Sequence, residues 1–137
     1  MTKKSGTETD IESGVEAGIA VRKAVMGEEF VERAMHNTNA FNADLQEWIN
    51  AHAWGSTWQR DGIDRKTRSL VTIAMLTALK TPTELKGHIR GALNNGASVA
   101  EIKEVLLHSV LYCGAPATQE AFRAALEVFA QEGIDIN

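Results

Sequence analysis

Glu84 and His88 stand four residues apart in the segment TPTELKGHIRGALNNG, a spacing that stacks two side chains on one helix face, about 40° apart around the axis. A carboxylate that holds one ring nitrogen of an imidazole fixes the tautomer and orientation of the other, which is what a proton-transfer residue needs. On the same wheel Leu85, Ile89, Ala92 and Leu93 form an apolar stripe, with His88 at its border beside Gly91 and Asn95, where a pocket wall would run. The plainer reading makes Glu84 a helix cap and His88 a boundary residue satisfied by it. Gly87 and Gly91 lie inside the same pattern, each at a cost of about 0.5–1 kcal/mol relative to Ala. Close approach of a helix or a ligand would offset that cost, and a tolerated surface glycine is the alternative.

Arg68 ends a cationic opening, Asp64-Arg65-Lys66-Thr67-Arg68, at a place where a helix dipole prefers anions. Its planar fork suits a carboxylate; a solvated surface arginine is the other reading. Residues 48–58, WINAHAWGSTW, gather all three tryptophans and His52, and amphipathic aromatics such as Trp54 favour pocket walls as well as cores. His108 follows Glu104 by four residues and, with Glu101 and Tyr112, lies opposite a stripe of Val99, Leu106 and Val110, which a solvated face also explains. Neither Glu-His pair has Glu-x-x-His spacing, and the lone cysteine, Cys113, rules out a cysteine-based zinc site, so a metal site is not expected.

These residues need helices to position them. Apolar periodicity predicts an all-α domain of about seven helices, roughly Gly14–Met26, Glu28–Thr38, Phe41–Ala53, Asp64–Lys80, Thr83–Asn94, Val99–Cys113 and Ala117–Gln131. Gly27, Gly55, Gly96, Gly114 and Gly133 each follow such a segment, as left-handed C-caps do. Thr81 with Glu84, and Ser98 with Glu101, have capping-box spacing. The run LVTIAMLTAL, Leu70–Leu79, is apolar nearly all round and must be covered on every side, which implies a central position, an interface between copies, or both.

The chain has 137 residues, 44% of them hydrophobic, enough for a single domain with its own core. The opening MTKKSGTETD reads as a tail, so residues 1–13 are expected to be flexible and residues 14–137 to form the domain. A net charge of −4 offers no footprint for a nucleic acid or an anionic membrane. The absence of a signal-like segment, of an apolar stretch of about 20 residues and of a second cysteine points to the cytoplasm.

The blocks HAWGSTWQRDGIDRKTRSLVTIAMLTAL, ELKGHIRGALNNG, EIKEVLLHSVLYCGAPA and FRAALEVFAQEG together resemble the carboxymuconolactone decarboxylase family, of the alkylhydroperoxidase D-like superfamily. The likeness runs from about Gly18 to Gly133. It implies an all-helical bundle with a helical hairpin, ring-like homo-oligomers (trimer or hexamer), and decarboxylation of 4-carboxymuconolactone to the β-ketoadipate enol-lactone in protocatechuate catabolism. No cofactor is implied, because the conjugated lactone takes up the electron pair released with CO2. Mapped onto this sequence, Arg68 would anchor the retained carboxylate and His88, oriented by Glu84, would donate the proton or stabilise the enolate. His52 with Trp54 would complete the wall, and His108 is a further candidate. The superfamily's two cysteines and upstream glutamate are replaced by Thr81, Glu84 and Ser69, which removes thiol peroxidase chemistry. Gly87 and Gly91 stand where bulkier residues are expected, which bears on pocket size. A tautomerase or lactone-processing enzyme on the same fold, and a non-catalytic oligomeric scaffold, are the alternative readings.

Overall fold

The structure, a computed structural model, describes the backbone of residues 6–137 and the side chains from residue 14 onward. Its described residues form seven α-helices and no strand: α1 Gly6–Met26, α2 Glu28–His36, α3 Ala43–Trp48, α4 Arg65–Leu79, α5 Pro82–Asn94, α6 Val99–Cys113 and α7 Ala115–Gln131. Of the tail expected over residues 1–13, the first five lie outside the described residues. Residues 6–13 are helical backbone, the first turns of α1. The chain divides between Ile63 and Asp64 into two compact units.

In the N-terminal unit the segment expected as one helix over Phe41–Ala53 splits. After α3 the backbone widens into a π-helical turn, Ile49–Trp54, closed by the Gly55 N–H donating to the Asn50 carbonyl at 2.7 Å. The cause is close packing against α1. A Cβ on Gly18 would overlap the Asn50 carbonyl oxygen and lie 2.8 Å from the Gly55 nitrogen, while one on Gly55 would overlap the Gly14 carbonyl. Gly55 is therefore no left-handed cap, and its φ is −81°; it is a site of backbone contact. Trp54 stacks on Trp58 with ring centroids 4.9 Å apart, and both are buried with Val25, Met26 and Val31 in this unit's core.

In the C-terminal unit α4 packs on α5, α6 and α7, and α7 closes against α5 and α6. Ile73, Leu85, Ile89, Ile102, Leu106 and Val128 are fully buried, each contributing about 1.5–3 kcal/mol. The expected α5 stripe is this buried face. On α6 the buried face is Ile102, Leu106 and Ser109, and Val110 is exposed, so the stripe is rotated from the one expected. The Ser98–Glu101 capping box forms, with the Glu101 N–H donating to Ser98 Oγ at 3.0 Å and the Ser98 N–H to Glu101 Oε1 at 3.1 Å. The Thr81 box does not. Thr81 sits at φ −116°, ψ 74°, and its hydroxyl turns back to donate to the Leu76 carbonyl at 3.2 Å, closing α4. Lys80, in the left-handed region at φ 56°, makes the turn between the two helices.

The α1 contact is testable through Gly18→Ala, which should destabilise the N-terminal unit by about 3 kcal/mol or more, read as urea unfolding followed by Trp54 and Trp58 fluorescence. An unchanged midpoint would refute the close approach.

Candidate active site

The start of α4 is held by anions from the chain itself. Asp64 caps the helix, its Oδ1 accepting from the Thr67 N–H at 2.7 Å, and Lys66 pairs with Glu101 of the α6 cap at 3.1 Å. Backbone hydrogen bonds, from Thr67 to Asp64 and from Ser98 to Glu101, with Lys66 assisting, hold both carboxyls below the usual carboxylate range. These contacts engage Asp64 and Lys66, and Arg68 lies one turn beyond Asp64, half-buried with its Nε in the interior.

The next residue, Ser69, is fully buried. Its Oγ accepts from Asn95 Nδ2 at 2.9 Å, and the same amide reaches the Arg65 carbonyl at 3.4 Å. This fastens the beginning of α4 to the end of α5 and makes the two helices a hairpin with Lys80 at its tip. His88 lies seven residues before Asn95, hence on the same face of α5 and about 10 Å along its axis. It is half-buried, with Nδ1 in the interior, between the buried Gly87 and Ile89. Glu84 is exposed in the first turn of α5, where the helix dipole favours a carboxylate. Because Thr81 closes α4 instead, the capping-box role for Glu84 drops out.

His108 lies on a different wall. It is exposed, packs on Tyr112 at 5.2 Å between ring centroids, and with Glu104 lines a groove of about 660 Å³ between α4 and α6, whose other walls include Thr67, Leu70, Val71 and Leu107. In the N-terminal unit His52 is exposed on the π-helical turn with its ring 4.9 Å from Trp48, whereas Trp54 is 5% exposed in the core. Among the described residues no three His, Cys, Asp or Glu side chains gather as metal ligands, and no helix is long and apolar enough to cross a membrane.

The Ser69–Asn95 tie was not anticipated. Its signals were a serine immediately before the apolar run Leu70–Leu79 and an asparagine that the helical wheel places beside His88. Arg22, buried in the N-terminal unit, was also missed, since VRKAV reads as an ordinary cationic face.

The chain matches the carboxymuconolactone decarboxylase family over residues 43–127. It is 49% identical over 117 residues to a 4-carboxymuconolactone decarboxylase of Acinetobacter baylyi, covering 85% of this chain and 87% of that protein. It is also 49% identical over 104 residues to a nitrosuccinic acid decarboxylase of Metarhizium robertsii, covering 76% of this chain and 73% of that protein. An uncharacterized 15.0 kDa protein of Paracoccus denitrificans is 37% identical over 127 residues, covering 89% of each.

The caps of α4 and α6 have a signed pH dependence. A depressed carboxyl stabilises the fold above its unfolded pKa of about 4 and loses that contribution as pH falls through the folded value. Asp64→Ala with Glu101→Gln should therefore lower the urea midpoint at neutral pH and flatten its decline below about pH 4; an equally steep acid decline would contradict the cap geometry.

Proposed function

We propose that this chain, which belongs to the carboxymuconolactone decarboxylase family, decarboxylates 4-carboxymuconolactone to the β-ketoadipate enol-lactone. The observation that carries the reading is 49% identity to a protein of that activity along 85% of the chain. Arg68 on α4 and His88 on α5 are the residues proposed to carry it.

Loss of the ring carboxylate as CO2 leaves an electron pair that runs through the conjugated ring to the lactone carbonyl oxygen. That oxygen needs a hydrogen-bond donor while charge develops on it, and the resulting dienolate needs a proton at carbon. His88, oriented by Glu84 one turn earlier, supplies these. Arg68 anchors the carboxylate that stays; a charge-assisted hydrogen bond contributes about 1.5–3 kcal/mol, enough to orient the substrate but small against a decarboxylation barrier. His108, on the groove between α4 and α6, is a further polar contact, and His52 and Trp54 belong to the N-terminal unit. The substrate is its own electron sink.

A second reading rests on the equally identical nitrosuccinic acid decarboxylase. A carboxylate leaving a nitro-bearing carbon delivers its electron pair to the nitro oxygens, so the same anchor and the same oxygen-directed donor serve. Both readings share one demand, a small diacid losing one carboxylate.

The deciding experiment supplies purified protein with enzymatically generated 4-carboxymuconolactone and, separately, with nitrosuccinate, and follows CO2 release. Lactone turnover is expected to dominate, and turnover of nitrosuccinate alone would select the second reading. His88→Gln should slow release about a hundredfold or more, with native rate refuting its role. Arg68→Lys should raise KM more than it lowers kcat.

Assembly belongs to the same proposal. Val71, Met75 and Leu79 form an i, i+4, i+8 line on α4, and Leu107, Leu111 and Tyr112 stand on α6; all are at least 41% exposed. Val71 and Leu107 line the same groove, exposed apolar residues so grouped mark an interaction site, and we assign them to further copies of the chain, as a trimer or hexamer acting in the cytoplasm. Light scattering should give a multiple of 14.9 kDa, and Met75→Glu with Leu111→Glu should lower it. A monomeric native protein would overturn the assignment.

A further inference from the structure

Arg22 of α1 is 9% exposed, yet among the described residues its guanidinium hydrogen-bonds to neutral amides: Nη1 donates to Gln46 Oε1 and to Asn50 Oδ1, each at 3.1 Å. Its Nε is buried without a hydrogen-bond acceptor, and among the described residues no carboxylate pairs with it. Burying a cation without a counter-anion is costly, and the burial pulls this arginine's pKa below its ordinary value. Both amides that touch Arg22 also line a cavity of about 220 Å³, bounded by Val15, Ile19 and Met35, with Glu47 on its wall.

We propose that this cavity of the N-terminal unit is a binding site for a small monocarboxylate with a short apolar chain, distinct from the residues assigned to decarboxylation. A guanidinium has no acceptor, so both amides must turn their oxygens toward it and keep their NH2 groups for other partners. A carboxylate, whose oxygens only accept, complements two such NH2 groups backed by a positive charge. Val15, Ile19 and Met35 receive the carbon chain. The volume, about seven waters at ~30 Å³ each, limits the ligand to a few carbons. Glu47 sets the charge, since its exposed carboxylate on the cavity wall repels a second anionic group and so disfavours a diacid. Asn50 is 6% exposed and is fixed at both ends, its carbonyl by Gly55 and its side chain by Arg22, so the donors are preorganised.

The test titrates the full, 15N-labelled chain with butyrate, butyramide and succinate, and follows the Arg22 Nε–H and the Gln46 and Asn50 side-chain NH2 signals. Butyrate should shift all three saturably, butyramide should not, and succinate should bind more weakly. Gln46→Glu places a carboxylate on Arg22 from within and should weaken butyrate about tenfold or more. Glu47→Gln, at an exposed position, should strengthen succinate. The proposal is overturned if butyrate leaves these signals in place, if butyramide matches butyrate, or if Glu47→Gln leaves the preference for butyrate over succinate unchanged. Because the signals belong to the N-terminal unit, none of these outcomes depends on whether the chain decarboxylates a lactone.

Discussion

The hydrogen bond from Asn95 to the buried hydroxyl of Ser69 sets the register on which the candidate site depends. It joins the first turns of α4 to the last turn of α5 at 2.9 Å, so everything between, including the turn at Lys80, is a closed hairpin. Arg68 precedes Ser69 in the chain, and His88 lies two turns from Asn95 on the same face of its helix. Neither can slide along its helix without breaking that contact. A slip of one residue would leave the Ser69 oxygen buried and unsatisfied, which costs about 1–3 kcal/mol, and would rotate His88 by about 100° away from its face. The position is the one where the wider superfamily carries a glutamate. Here a neutral serine-amide contact does the fastening and adds no negative charge beside an arginine assigned to an anionic substrate.

The two units place their arginines under opposite constraints. Arg68 stands near the surface end of a helix whose first turn is already supplied with anions by Asp64 and Glu101, so an incoming carboxylate meets a cation that retains contact with solvent. Arg22 is buried, and among the described residues its guanidinium donates to two amide oxygens. A partly solvated guanidinium can take and release a substrate at modest desolvation cost, whereas an enclosed one binds at the price of opening or filling its cavity. The packing that encloses Arg22 follows from two glycines. At Gly18 and Gly55 the absence of a side chain lets the backbone of the π-helical turn approach α1 closely, and Asn50 meets Arg22 across that approach.

Most of the helices were legible because periodicity and caps are local properties. The α5 face of Leu85, Ile89 and Ala92 is buried as its spacing predicts, and Ser98 with Glu101 makes the box its sequence encodes. What was not legible depends on meetings at long range. The Thr81 hydroxyl had two roles to choose between, accepting from the Glu84 N–H in a box with its own helix or donating to the carbonyl of Leu76 in the one before, and the left-handed turn at Lys80 decided for the second. Val110 was read into a stripe one position off, because α6 is apolar on more than one side and only the packing of α4 and α7 says which side is covered. Arg22 finds its partners 24 and 28 residues away. Of the site, the residue types on α4 and α5 were visible in the sequence, but their fastening through Asn95 was not.

The electrostatics of the proposed reaction explain why the anchor and the donor should sit apart. Decarboxylation proceeds by loss of charge from the departing group and its appearance on a distant oxygen, so a cation held against the leaving carboxylate would stabilise the ground state and slow the step. A cation on the retained carboxylate is neutral in this respect, because that group keeps its charge throughout. A donor facing the acceptor oxygen, by contrast, gains strength as the reaction advances. In the proposed assignment the arginine and the histidine stand on the two arms of one hairpin, separated along it, as both conditions ask. The same separation suits a lactone dienolate and a nitronate, since each displaces negative charge from a carboxyl carbon to an oxygen several bonds away.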